Sequence, residues 1–254
     1  MQELLSETNH NIEDIELIGL AAPGTISGGT IIKAGNLGIK DFAILNRLKE
    51  LYNVPMSLRN DGKCAALAEK RFGAMKQYND CIFINIGTGI GGAAFIKGEL
   101  LEPRKYSGFE FGHMVLEKNG RQCTCGKKGC FETYGSISAL KWQITDALGV
   151  SREISGKKLR EELLVIDEPV IQEIVEEYLE YLKIGITNLI DIFEPEVVCF
   201  GGSFAHYADT PLYLKLMKKL NEPNATFNQS DMPKIVTAKF ENNAGIIGAV
   251  ANMK

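Results

Sequence analysis

Hydrophobic positions along the first third of the chain recur in two rhythms. From Ile15 the run IELIGLAAPG reads as a strand that breaks at Pro23-Gly24, and a second break falls at Ser27-Gly28-Gly29. Further apolar residues lead to Asn36-Leu37-Gly38. Phe42, Leu45, Leu48 and Leu51 then fall on one face of a predicted helix. Val54 to Leu58 is a short strand that ends in Arg59-Asn60-Asp61-Gly62, and the alanine-rich stretch Ala65 to Phe72 is a second helix. The alternation of strand and helix predicts an α/β sheet.

Further along, Cys81 to Ile86 and Ala93 to Ile96 flank a glycine-rich turn, with a second turn at Lys97-Gly98, so the segment reads as a hairpin. Helices are predicted over Ile137 to Ala147 and over Val170 to Ile192. The longer one carries Ile174, Val175, Tyr178, Tyr181, Leu182, Ile186 and Leu189 at helical spacing and stops at Pro195. Val197 to Phe200 is a buried strand running into Gly201-Gly202-Ser203. A helix near Pro211 to Leu220, a strand over Ile235 to Ala238 and a closing small-residue helix over Asn243 to Asn252 complete the order.

The 254 residues suffice for one large domain or two modest ones. A net charge of -4 offers no basic face to neutralise phosphates, so nucleic acid is not an expected partner. The first twenty residues are acidic and polar before their first apolar run, the reverse of a secretory signal, and no apolar run reaches membrane-spanning length. A cytoplasmic protein without a membrane partner is expected.

Six cysteines change the picture, because Cys123, Cys125 and Cys130 crowd into one segment while Cys64, Cys81 and Cys199 are scattered in apolar surroundings. Clustering of this kind points to a metal in a reducing compartment rather than to disulfides. His113 with the three thiols completes a four-ligand set of the kind zinc prefers, and the glycines between the thiols permit the tight turns needed.

Gly87-Thr88-Gly89-Ile90-Gly91-Gly92 matches G-x-G-x-x-G, but the following residues, AAFIKGEL, are too short and apolar for the helix a dinucleotide motif requires. The segment is either a plain hairpin turn or one whose backbone N–H groups and Thr88 hydroxyl approach a phosphate. Asp61, at a strand-to-helix junction, is either an N-cap or a base that takes the proton of an attacking hydroxyl. Glu110 and Glu132 flank the cysteine cluster and, if a metal fixes the loop, are placed to bind a polyol. Gly201-Gly202 is a turn, or a place where a nucleotide approaches the backbone.

Taken in order, Asn60-Asp61 with CAALAE, the hairpin INIGTGIGG, Glu110-Phe111-Gly112-His113, CTCGKKGCFE and VVCFGGS resemble the ROK family of sugar kinases and sugar-responsive repressors, over about Ile18 to Ala251. The resemblance implies the actin-like ATPase (ribonuclease H-like) fold. Residues 1–80 with the returning helix 243–254 would form a small lobe, and 81–242 a large lobe carrying the hairpin and zinc loop. It implies ATP-dependent phosphorylation of a hexose or amino sugar, as in a glucokinase, with Mg and a structural Zn as cofactors and a homodimer as the common assembly. Asp61 would be the catalytic base for the sugar 6-hydroxyl. Asn36, Asn60, Glu110, His113 and Glu132 would hold the sugar, Thr88 and Gly89 the phosphates, Gly201 and Gly202 the adenosine, and His113, Cys123, Cys125 and Cys130 the zinc.

One departure stands out: nothing before Ile15 resembles the family's Asp-x-Gly-Gly-Thr hairpin, so a truncated first lobe and impaired phosphoryl transfer are expected. The alternative is a sugar-binding zinc protein without chemistry. No helix-turn-helix pattern precedes the first lobe, and a DNA-binding repressor is not expected.

Overall fold

The computed structural model describes residues 2–104, 109–222 and 232–251, apart from the side chains of Gln2, Leu4 and Asn36. After a short helix α1 (Gln2–Thr8), β1 (Ile18–Ala22) runs parallel to a later strand, β5 (Met56–Asn60), with Ala22 opposite Asn60. Between them β2 (Thr25–Ser27), β3 (Thr30–Ala34) and β4 (Ile39–Phe42) form a small antiparallel sheet, followed by α2 (Ile44–Lys49). The helical stripe read from Phe42 is therefore cut. Phe42 pairs with Ile31 across β3 and β4 and packs on the small cluster of Ala22, Ile31 and Ala34, so tertiary pairing overrides its helical spacing. The three-stranded sheet itself was not anticipated from the sequence, because its strands are only three to five residues long.

The helix α3 (Asp61–Phe72) starts four residues earlier than the alanine run suggests, since Asn60 caps it. It leads to a five-stranded sheet of order β10-β9-β6-β7-β8. Here β6 (Cys81–Ile86), β7 (Ile90–Ile96) and β8 (Glu99–Leu100) are antiparallel, while β6, β9 (Val197–Gly201) and β10 (Lys234–Thr237) are parallel. Side chains alternate along β6. Ile82, Ile84 and Ile86 join the core under the helices, whereas Cys81 and Phe83 join the core shared with Ala66 and Leu67 of α3. Burial on both faces explains why CIFINI shows no polar alternation.

The outer layer comprises α4 (Glu132–Gly135), α5 (Ile137–Ala147), α6 (Gly156–Lys158) running into a π-turn at Leu159–Leu163, α7 (Pro169–Phe193) and α8 (Pro211–Leu220). Where a stop at Pro195 was expected, α7 already ends at Glu194, whose φ of 44° reverses the chain before the proline.

The last helix, α9 (Ala244–Val250), returns to the first sheet; Asn252, the expected helix end, lies outside the described residues. It fits because Gly248 lets α9 touch α3: a Cβ there would sit 1.6 Å from the Cys64 carbonyl oxygen. Gly248→Ala is expected to cost about 2–3 kcal/mol of stability, measured by denaturant unfolding, because two helix backbones must separate to admit one methyl. A cost below about 0.5 kcal/mol would contradict that packing. Two α/β halves facing a cleft, with the final helix crossing back, make up the actin-like ATPase fold.

Candidate functional site

The cleft between the halves holds a cavity of about 370 Å³ lined by Gly24, Asn60, Asp61, Gly92, Glu102 and Glu110 among others. Its floor is the C-terminal end of β5, the position where open α/β sheets place their ligands. The question of which residue caps α3 is settled by geometry. Asn60 Oδ1 accepts the Lys63 N–H at 3.2 Å, and Asn60 Nδ2 donates to the Gly24 carbonyl at 3.1 Å. Among the described residues the exposed Asp61 carboxylate receives only the neighbouring Gly62 N–H, at 2.8 Å, which leaves it acceptor capacity toward the cleft.

Glu110 faces the same cavity from the opposite half. Phe109 also lines the cavity, with φ of 60°. A phenylalanine in this region stores about 1–3 kcal/mol of strain, which marks the wall as constrained. Three further wall residues escaped the sequence reading. Lys63 pairs with Glu102 at 3.6 Å, and Arg59 has a buried Nη1 with no hydrogen-bond partner among the described residues. Adjacency to Asn60-Asp61 was the only available signal for Arg59.

The hairpin turn and the Gly201-Gly202 turn meet above the ends of β6 and β9. Gly202 has φ of 70°, and a Cβ on it would lie 2.7 Å from the Ile86 carbonyl oxygen. Gly87 accepts the Ile137 N–H at the start of α5, 3.0 Å away. Gly91 and Gly92 belong to β7 rather than to the turn. Beside Ser203 a second cavity of about 280 Å³ is lined by Ile137, Gly156, Lys157, Arg160, His206 and Tyr207.

Glu132, the first residue of α4, is tucked beneath the hairpin. Its Oε2 accepts the Ile90 N–H at 3.0 Å, and a Cβ at Gly89 would lie 2.3 Å from that oxygen. Glu132 and Thr88 border a crevice of about 410 Å³ on the far side of the turn rather than the 370 Å³ cavity. Asn36 sits on the short turn Gly35–Leu37, and its side chain lies outside the described residues.

His113, Cys123, Cys125 and Cys130 come together with all ligand atoms within 4.8 Å of one another. Cys123 Sγ is 3.6 Å from His113 Nδ1, and Cys125 Sγ is 3.6 Å from Cys130 Sγ. Zinc–sulfur bonds of about 2.3 Å in a tetrahedron require sulfur separations of roughly 3.8 Å, so the donor set and spacing fit that ion. Local turns build the cluster. Gly126 and Gly129 take φ of 93° and 75°, and the Cys123 N–H reaches the Lys127 carbonyl at 2.9 Å. Arg121 anchors the loop by lying 4.4 Å over the Tyr134 ring and donating to the Thr133 carbonyl at 3.1 Å. The remaining thiols are of another kind, since burial pushes Cys64 and Cys81 each up to about 11 and raises Cys199 further, leaving them protonated core residues.

Among the described residues no helix is long and apolar enough to cross a membrane. The glucokinase of Halalkalibacterium halodurans is 30% identical over 98% of this chain and 79% of its own length. The putative xylose repressor of a Caldicellulosiruptor species is 28% identical over 92% of this chain, which spans only 61% of that repressor. The crystal structure of a ROK hexokinase from Thermus thermophilus superposes with a TM-score of 0.84 at 29% identity, covering 98% of this chain and 81% of that one. Sugar kinases and a putative repressor are thus both among the relatives of this chain. Since the model of the ROK family matches residues 1–254 in full, the chain belongs to the ROK family.

Proposed function

We propose that this chain transfers the terminal phosphoryl group of ATP to the 6-hydroxyl of a hexose or amino sugar. The observation that carries the reading is the placement of Asp61. It opens α3 without acting as its cap and faces the cleft together with Asn60 and Glu110. Similarity to a glucokinase and to a hexokinase of the same family supports it.

In this reading residues 1–80 and 243–254 form the small lobe and residues 81–242 the large one. Asn60 and Glu110 orient the sugar, with His113, Glu132 and Asn36 as further sugar ligands from outside the cavity's present lining, and Asp61 accepts the hydroxyl proton as that oxygen bonds to phosphorus and ADP departs. Thr88 and Gly89 lie against the phosphates. The cavity beside Gly201, Gly202 and Ser203 takes the adenosine, with Lys157 and Arg160 at its rim. Magnesium, arriving with the nucleotide, would neutralise phosphate charge. Zinc, held by His113, Cys123, Cys125 and Cys130, would keep the loop between Glu110 and Glu132 in shape and take no part in the transfer.

Similarity to a putative xylose repressor favours a second reading, in which the same cleft binds sugar without turnover. A coupled ADP-release assay with glucose, mannose, N-acetylglucosamine, N-acetylmannosamine and fructose, run beside calorimetric titration of each sugar, separates the two. Turnover with one or more sugars is the expected result. Binding without turnover would overturn the kinase reading in favour of the second, and neither would remove both.

A further inference from the structure

Glu69 lies on α3 well away from the cleft, yet its environment is unlike that of an ordinary helix acid. The side chain is fully buried, at 0% exposure, and no cation pairs with it among the described residues. Backbone amides satisfy it instead. Oε2 accepts the Ala74 N–H at 2.8 Å, and Oε1 accepts the N–H groups of Lys239 at 2.7 Å and Phe240 at 2.9 Å. Carboxylates taken out of water require such partners, and charge-assisted bonds of this kind are the strong ones.

Those amides belong to the two passages of chain between the halves. Residues 73–80 lead from α3 to β6, and residues 238–243 lead from β10 to α9. One carboxylate therefore fastens both passages to the helix that carries Asp61. The packing is close: a Cβ on Gly73 would lie 2.0 Å from Glu69 Oε2. Downstream, Lys70 Nζ donates to the Tyr78 carbonyl at 2.7 Å, and the Asp80 N–H reaches Glu196 Oε2 at 2.9 Å, so the first passage is pinned to both halves.

We propose that Glu69 is a positioning residue that locks both passages onto α3 and thereby sets the direction in which Asp61 faces the opposite half. Eight residues of helix separate the two carboxylates, about 12 Å. A tilt of α3 by about 5° would move Asp61 by about 1 Å, a displacement able to cost on the order of a hundredfold in rate.

Hydrogen exchange on the full chain tests this without ligand. In Glu69→Ala the amides of Ala74, Lys239 and Phe240, together with those of Asp61 and Gly62, are expected to exchange roughly tenfold faster or more, while peptides of α5 and α7 keep their protection. Glu69→Gln, which keeps one acceptor oxygen, should loosen them less. Acceleration confined to residues 73–75, or spread evenly over the whole chain, would overturn the proposal. Should Glu69→Ala not fold, Gly73→Ala displaces the carboxylate while keeping its charge and should give the same pattern. A kinetic arm rests on the kinase reading: kcat should fall by about tenfold to a hundredfold with KM within about threefold. Loosened passages with an unchanged kcat would also overturn the proposal. If the wild-type chain turns over no sugar, the kinase reading falls, and exchange at Asp61 and Gly62 still decides between a locked and an unlocked α3.

Discussion

Asp61→Asn is expected to lower the turnover of sugar phosphorylation by about a thousandfold while leaving the sugar Kd within about threefold. The asymmetry follows from what the substitution removes. Asparagine fills the same space and still offers an oxygen to the Gly62 N–H that Asp61 now holds at 2.8 Å, so α3 keeps its start and the cavity its shape. Nor is the helix uncapped, since Asn60 performs that task. What is lost is the capacity to take a proton at the moment the sugar oxygen bonds to phosphorus. General-base contributions of this type span about a hundredfold to ten-thousandfold. Calorimetric titration of the sugar and steady-state rates on the same preparation check both halves. A variant turning over within about threefold of wild type would remove Asp61 from the mechanism, and a variant that no longer binds sugar would recast it as a ligand residue.

The proposed role of Asp61 was only half legible in the sequence. Asn60-Asp61 at a strand-to-helix junction left the cap and the base indistinguishable, because both need a carboxylate or amide in the same two positions. The distances from Asn60 Oδ1 to the Lys63 N–H and from Nδ2 to the Gly24 carbonyl assign the cap to Asn60 and leave Asp61 available for the proposed role. Elements whose periodicity is long and unbroken were readable almost to the residue, as with α5, α7 and α8. Short strands such as β2, β3 and β4 were not, since three to five residues carry too little alternation to compete with a helical stripe that happened to include Phe42. Glu69 was invisible for a different reason. In AALAEK it reads as a solvated helical acid, and its burial depends on amides 170 residues away. The Glu132 carboxylate presents a milder case, where proximity to the cysteines suggested a polyol ligand and the structure places it under the hairpin, engaged with the Ile90 N–H.

Cys125→Ser is expected to empty the metal site. The wild-type chain should carry about one zinc and the variant less than about a tenth of that, by elemental analysis of the purified proteins. Cys125 suits the test because it is exposed, so replacing sulfur by oxygen leaves no cavity in the core that could mimic the loss of the ion. The ligands come from two stretches, His113 on one side and residues 123–130 on the other, and Cys130 is followed two residues later by Glu132. An ion at the cluster would thus tie the turn after Glu110 to the start of α4, bracing the two carboxylates proposed to hold sugar. Without it the stretch keeps the Arg121 contacts with Tyr134 and Thr133 but loses its cross-link. Sugar affinity should then fall by about tenfold or more, in line with the cost of disturbing groups that orient a site, while the five-stranded sheet and its helices, which bury their own core, stay folded. Stoichiometric zinc in the variant would refute the ligand assignment. A zinc-free variant with unchanged sugar affinity would keep the metal site and separate it from the cleft, and Glu132 would then owe its placement to the hairpin alone.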